Sequence, residues 1–363
     1  MGLESARYEA IDPAATGPEA IARAFENQVA YCRDNGAPHT ATVCQALGAL
    51  LDTDRGGVTM ERVRRWAGPP LSDALPLRIA GGLHALFIAG AEPGLDPIYE
   101  GLGPLDSVDR IADAIERHDH ALLPWLDGPP QTNEAGRSWA YASTMLWLAD
   151  KGLPSDFALW ELGSSAGINL MMRRYRYDLA GVQVGPETAR MRLKPDWRGD
   201  PPPAGDFDIV EATGCDVSPV DLTDERQALR LKAYVWPEHT SRFARIEAAI
   251  EAAHRFPPEI ERINAGDFVD RMLERQPPVG VTRMFAHSVV WQYIAPEEQT
   301  RITTAIETAG ANATKDAPLA WVMLEANRET HRHELTVRYW PGGGEPVMLA
   351  NAHPHGEWVN WKG

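Results

Sequence analysis

The stretch Phe157-Ala-Leu-Trp-Glu161-Leu162 is a short apolar run that ends in Gly163-Ser-Ser-Ala-Gly167 and resumes as the apolar Ile168-Asn169-Leu170. An apolar run of this length, bounded by glycines, is the pattern of a strand buried on both faces, and the glycines let the backbone turn sharply into a helical segment. Such strands belong to parallel sheets covered by helices. Runs of the same kind recur at 207–210, 284–290 and 319–324, with helical stretches at 224–236, 241–253 and 296–309 between them. The expected fold class of this half is therefore α/β with a mostly parallel sheet. Residues 334–340 alternate with period two, and Pro341 with Gly342 to Gly344 separates them from a second apolar run at 346–349, so an antiparallel hairpin closes the chain. The proline-rich 194–206 segment reads as loop, and 175–206 as an insertion on the sheet.

Upstream the periodicity is helical. Ile21, Phe25, Val29 and Cys32 share one face, as do Val43, Leu47, Leu50 and Leu51. Gly36 marks a helix end, Thr59 is placed to cap a helical turn over 60–66, and Ser107 precedes Val108, Ile111 and Ile115. The organisation expected is a helical N-terminal subdomain over 1–150, forming a lid or substrate pocket, and an α/β domain over 151–363.

Lys plus Arg number 35 against 51 Asp plus Glu, a net charge of −16 that repels phosphate backbones and anionic lipid, so neither nucleic acid nor a membrane is expected as partner. A small-molecule substrate is expected. The three cysteines, Cys32, Cys44 and Cys215, form no C-x-x-C, so neither a disulfide framework nor a thiolate metal site is indicated and a reducing cytoplasm fits. The start, MGLESARYEAIDP, carries no apolar core of a signal peptide, and Ala6 stands where a myristoylation signal needs Ser or Thr.

Glycines between a strand and a helix let backbone N–H groups approach a ligand, while a carboxylate at the strand end accepts from an amine or a ribose hydroxyl. The pattern E-x-G-x-x-x-G, with Glu161, Gly163 and Gly167, resembles the first motif of class I S-adenosylmethionine-dependent methyltransferases. That resemblance implies a Rossmann-like sheet, S-adenosylmethionine as cofactor, and cofactor contacts from Glu161, Gly163, Ser165, Gly167 and Asn169. It extends to Gly214-Cys-Asp216-Val-Ser-Pro219, whose aspartate would meet the cofactor ribose, and to Gly266-Asp267-Phe268, where Asp267 would accept from adenine and Phe268 lie beside the ring. Asp267 reads equally as a helix N-cap. The Glu161 to Asp216 spacing requires the insertion at 175–206. After the 284–290 strand, His287 is a candidate base, and Trp291 and Tyr293 would form an aromatic wall against a sulfonium, or core.

Other chemistries fit some of these residues. Gly163-Ser-Ser165-Ala-Gly167 also satisfies G-x-S-x-G, which would make Ser165 a hydrolase nucleophile, although no oxyanion-hole segment of the H-G-G-G type precedes it. The pairs His118/His120, His331/His333 and His353/His355, with Glu325 or Glu357, would serve a metal-dependent enzyme, but the first lies on a helix where i and i+2 diverge, and no metal ligand is assigned. A non-catalytic protein that uses the cofactor fold to bind a ligand is the remaining alternative.

Three local stretches resemble an uncharacterised bacterial domain-of-unknown-function family across nearly the whole chain. They are Gln131-Thr-Asn133-Glu134-Ala-Gly-Arg137-Ser138, then Glu161 to Leu170 with Arg174-Tyr-Arg-Tyr177, and His353-Pro-His355-Gly356. The resemblance carries no reaction. Asn133, Glu134 and Arg137 are polar enough to close a cofactor site, or to cap the following helix, and His353 and His355 sit on a rigid turn suited to a ligand mouth; these five are the candidate substrate contacts.

Overall fold

The computed structural model describes residues 12–327, 330 and 332–363. The signal and lipidation readings at the N-terminus, and His331 of the second histidine pair, lie outside the described residues. Two compact units divide the chain: Met1–Thr132 with Glu225–Phe243, and Asn133–Asp224 with Ala244–Gly363.

The described part of the first unit is helical. Helix Pro18–Asp34 starts with proline at its first turn, where a missing N–H costs nothing, and buries Ile21, Phe25 and Cys32. Ile21 and Phe25 join Val43, Leu47, Ile79, Leu83, Ile111 and Ile115 in one core, while Cys32 packs with Ala37 and Ala41. Thr59 does not cap its helix. The helix runs Gly57–Arg64, Thr59 lies inside it, and the carboxylate of Asp119 accepts from the Val58 and Thr59 amides at 2.8 and 2.7 Å. The returning helix Glu225–Ala233 ends against His84, whose Nδ1 lies 2.9 Å from the Ala233 carbonyl. Burial pushes the His84 pKa down to about 4, so the ring is neutral.

The second unit carries twelve strands. They are β1 (Asp156–Leu162), β2 (Arg176–Leu179), β3 (Val182–Val184), β4 (Arg192–Leu193), β5 (Asp196–Arg198) and β6 (Asp208–Asp216). There follow β7 (Glu259–Arg262), β8 (Thr282–Ser288), β9 (Leu319–Asn327), β10 (Arg332–Trp340), β11 (Val347–Ala352) and β12 (Trp358–Trp361). Nine form a mixed, mostly parallel sheet in the order β5-β12-β11-β10-β9-β8-β1-β6-β7. Strands β7, β6, β1, β8 and β9 run parallel, while β10, β11 and β12 are antiparallel to their predecessors, which extends the expected hairpin by one strand. Phe157 to Leu162 are buried on both faces, as their unbroken apolar pattern requires. On one face Trp160, Leu162, Phe285 and Trp321 share a core with residues of helices Ala265–Glu274 and Pro296–Ala311.

Two segments differ from their sequence reading. The proline-rich 194–206 stretch is not all loop: Asp196–Arg198 adds β5 to the sheet edge beside β12, where few backbone amides need partners and flanking prolines are tolerated. The insertion folds into its own three-stranded sheet, β3-β2-β4. Helix Trp139–Asp150 clusters with the sheet unit, and it is buried on every side from Trp139 to Leu148, as an element inside a core must be and a lid need not be. Among the described residues no helix is long and apolar enough to cross a membrane.

Candidate functional site

Counted along the chain, the parallel strands lie in the order third, second, first, fourth, fifth, so successive connections leave β1 toward opposite edges of the sheet. In open α/β sheets a reversal of this kind is where ligands bind, outside the carboxyl ends of the two strands at which it occurs, here β1 and β8. Glu161 and His287 sit at those two ends.

Glu161 is buried, and its Oε1 accepts from the Tyr141 hydroxyl at 3.1 Å and from Asn169 Nδ2 at 2.8 Å. Its Oε2 has no partner. Burial outweighs these donors and pushes the carboxyl pKa up to about 7. Asn169 Oδ1 and Ser165 Oγ are also buried without partners. Three polar atoms at the end of β1 and in the turn after it thus lack hydrogen bonds, a set that a ligand bearing N–H or O–H donors would satisfy.

Gly163, Ser165 and Gly167 all have positive φ, at 66°, 54° and 68°. A Cβ on Gly163 would meet Val290 at 2.3 Å, and one on Gly167 would meet Pro258 at 2.6 Å. Both glycines are therefore required by the chain's own packing. The loop is pinned from two sides: Ile168 N donates to Asn133 Oδ1 at 2.9 Å, and Ser165 N donates to Asp216 Oδ2 at 2.8 Å. Asp216 Oδ1 accepts from Ser218 N at 2.8 Å, so this carboxylate spans the ends of β1 and β6 and retains a lone pair on each oxygen.

Leu162 pairs with His287 across β1 and β8, so His287 leaves the sheet on the Leu162 face and Glu161 on the opposite face. His287 is fully buried, its ring stacked on Trp291 at 4.9 Å and tilted against Trp321. Its Nδ1 lies 2.7 Å from Glu325 Oε1, which also accepts from Val290 N. An ionised carboxylate only accepts, so Nδ1 carries the hydrogen, and Nε2 is left as an unpartnered lone pair. Val289, two residues after His287, adopts a φ of 56°, a strained conformation for a β-branched residue.

The 131–138 and 353–356 stretches meet. Arg137 Nε donates to the Pro354 carbonyl at 2.8 Å, and a Cβ on Gly356 would meet the Gly136 carbonyl oxygen at 2.1 Å, an approach only glycine permits. Glu134 Oε1 accepts from Gly136 N and from Arg245 Nε, and the His353 and His355 rings stand 5.5 Å apart. A family model described as an uncharacterized protein conserved in bacteria, DUF2332, matches residues 22–361. The chain belongs to this family. No curated protein and no solved structure matches it.

Not every residue singled out in this DUF2332 sequence is placed as expected. Phe268 is fully buried in the core under β1 and β8, so its ring is not available to adenine. Asp267 is not the N-cap: Asn264 is, accepting from Asp267 N, and the Asp267 carboxylate is paired with Arg301 at 2.7 Å and with Asn264 Nδ2. Arg301 beside it holds its pKa below the usual value. Tyr293 is 77% exposed and contributes no aromatic wall; Trp321 fills that place beside Trp291. Among the described residues no group of three His, Cys, Asp or Glu could hold a metal ion. Ser165 has the positive φ that a nucleophile elbow needs, but neither its Oγ nor His287 Nε2 has a partner, so the two are not bonded to each other. Tyr141 was not anticipated. It carries no distinct sequence signal, since its hydroxyl stands on a helix that also carries Ser143 and Thr144.

Proposed function

We propose that the DUF2332 chain is an S-adenosylmethionine-dependent methyltransferase that acts on a small-molecule acceptor, with a Rossmann-like sheet of the class I kind. The observation that carries the reading is the set of buried unpartnered atoms, Glu161 Oε2, Asn169 Oδ1 and Ser165 Oγ, at the end of β1 and the glycine turn after it, where the strand order reverses. Asn169 Oδ1 can only accept, and so can Glu161 Oε2 once the carboxyl is ionised, which suits an ammonium group. When bound, S-adenosylmethionine supplies an electrophilic methyl on a sulfonium.

The chain's own residues then have separable tasks. Glu161 and Asn169 would hold the amine, and Asp216 would accept from ribose hydroxyls with the lone pairs that Ser165 N and Ser218 N leave open. Asn133, through Ile168 N, fixes the loop in place. His287, its Nδ1 hydrogen committed to Glu325, would take the acceptor's proton at Nε2 as the acceptor attacks in line. The Trp291 and Trp321 rings beside it exclude water and offer π faces to a cation. The cytoplasm, which keeps Cys32, Cys44 and Cys215 as thiols, suits this reading.

Calorimetric titration of the purified protein with S-adenosylmethionine and S-adenosylhomocysteine tests the proposal. Micromolar binding that disappears in Glu161→Gln is the expected result, and no binding of either ligand by folded protein would overturn it. The φ of Ser165 favours a second reading, a serine hydrolase. Fluorophosphonate labelling of the wild type that is lost in Ser165→Ala would establish that one instead.

A further inference from the structure

The insertion and the C-terminal half of helix Thr240–Arg255 enclose a cleft of about 540 Å³, large enough for a ligand of nucleotide size. Its charge runs against that of the chain. Four arginines line it, Arg173, Arg174, Arg190 and Arg255, against one lining carboxylate, Glu251, in a protein whose net charge is −16.

The pairing within the cleft leaves positive charge uncompensated. Arg173 is neutralised by Asp208 at 3.0 Å. Arg190 and Arg255 share the single carboxylate of Glu251, each through one terminal nitrogen, so one charge and most of their N–H donors are unspent. Arg174 lies over the ring of Phe256 and has no ion-pair partner among the described residues; burial and the neighbouring Arg173 push its pKa down, as an arginine lacking an anion would show. Phe256 is 43% exposed, and with Met191 it gives the cleft an apolar floor.

We propose that this cleft binds an organic phosphate, with the phosphate on Arg174, Arg190 and Arg255 and the organic part on Phe256 and Met191. Guanidinium forks match phosphate oxygens in pairs, and an exposed ring gives a planar group a surface to stack on. The inference does not depend on the cofactor reading, whose residues lie on the glycine loop.

The test is calorimetry of the full chain at low salt with pyrophosphate and with adenosine monophosphate as probes. Binding should weaken by about tenfold or more in Arg174→Ala and in Arg190→Ala/Arg255→Ala, whose exposed side chains leave thermal unfolding unchanged. Glu251→Gln should tighten it, because the competing charge is removed, and added salt should loosen it. Adenosine monophosphate binding at least as tightly as the more highly charged pyrophosphate would assign the floor to the organic part. No binding of either probe up to about 10 mM, or binding indifferent to all of these substitutions, overturns the proposal. Capture by phosphatidic acid vesicles without binding of the soluble probes overturns it as well, since the ligand would then be a membrane surface.

Discussion

Asn169 Nδ2 donates to Glu161 Oε1 at 2.8 Å, so the residue near the end of β1 and the residue that leaves the glycine loop are tied together across the turn between them. The tie holds one carboxylate oxygen and leaves the other bare. Glu161→Gln keeps the acceptor to Asn169 but removes the charge. We expect it to lose S-adenosylmethionine binding by about a hundredfold while remaining folded, measured by calorimetry beside circular dichroism.

The raised pKa of Glu161 fixes a sign for stability. In the folded state the carboxyl holds its proton up to about pH 7, whereas the unfolded chain releases it near 4.5. The group's contribution is therefore full below 4.5 and is lost as pH rises through 7, at a cost of roughly 3 kcal/mol. Glu161→Gln should be as stable as wild type or more so at pH 8, and thermal melts across pH 5 to 8 should show the gap opening upward. A cationic ligand should bind more tightly as pH rises through the same window.

His84 works in the opposite direction. Its folded pKa of about 4 lies below the unfolded value of 6.5, so its contribution is full above 6.5 and is lost as pH falls toward 4. His84→Gln should flatten the acid limb of the melting curve between those values. A variant with an unchanged acid limb would remove His84 as its cause.

Gly163→Ala places a Cβ 2.3 Å from Val290 at a φ of 66°. Left-handed strain together with that overlap should destabilise the protein by about 1–3 kcal/mol. Gly181→Ala, also at positive φ but with nothing within 4 Å, should cost only the strain, roughly 1 kcal/mol. Urea titration of the two variants separates the contributions.

In the methyltransferase reading, His287→Ala should lower kcat by about 10²–10⁴ while shifting cofactor affinity little. A purely structural His287 would instead lower stability and leave the kcat of the folded protein intact.

Strands β1, β8 and β9 were legible because each is mostly buried on both faces and so reads as an unbroken apolar run, as at Phe157 to Leu162 and Leu319 to Leu324, whereas the parallel edge strand β7, Glu259–Arg262, buries none of its residues fully and carries no such run. The edge strand β5 was not legible, because prolines around Trp197 suppress the strand pattern and an edge position forgives them. Tyr141 and Phe268 exchanged roles for a related reason. An aromatic residue in an apolar context looks the same whether its ring fills a core or its hydroxyl reaches a carboxylate, and only the third dimension separates them. Asp267 was misread by one helical turn, since Asn264 and Asp267 are both good capping residues and hydrogen-bond each other. The cluster of Glu161, Asn169 and Ser165 was legible as a loop, but the missing partners of its atoms were not.

The helical unit is made of two stretches of chain, 12–132 and 225–243 in its described part, with a run of the sheet unit between them. During synthesis its first helices leave the ribosome long before Glu225–Ala233, so the carbonyl that the buried ring of His84 needs does not yet exist. The unit that begins first therefore stays incomplete while a long run of the other unit is made, and a nascent chain stalled before Ala233 would display an unfinished helical core to chaperones and proteases.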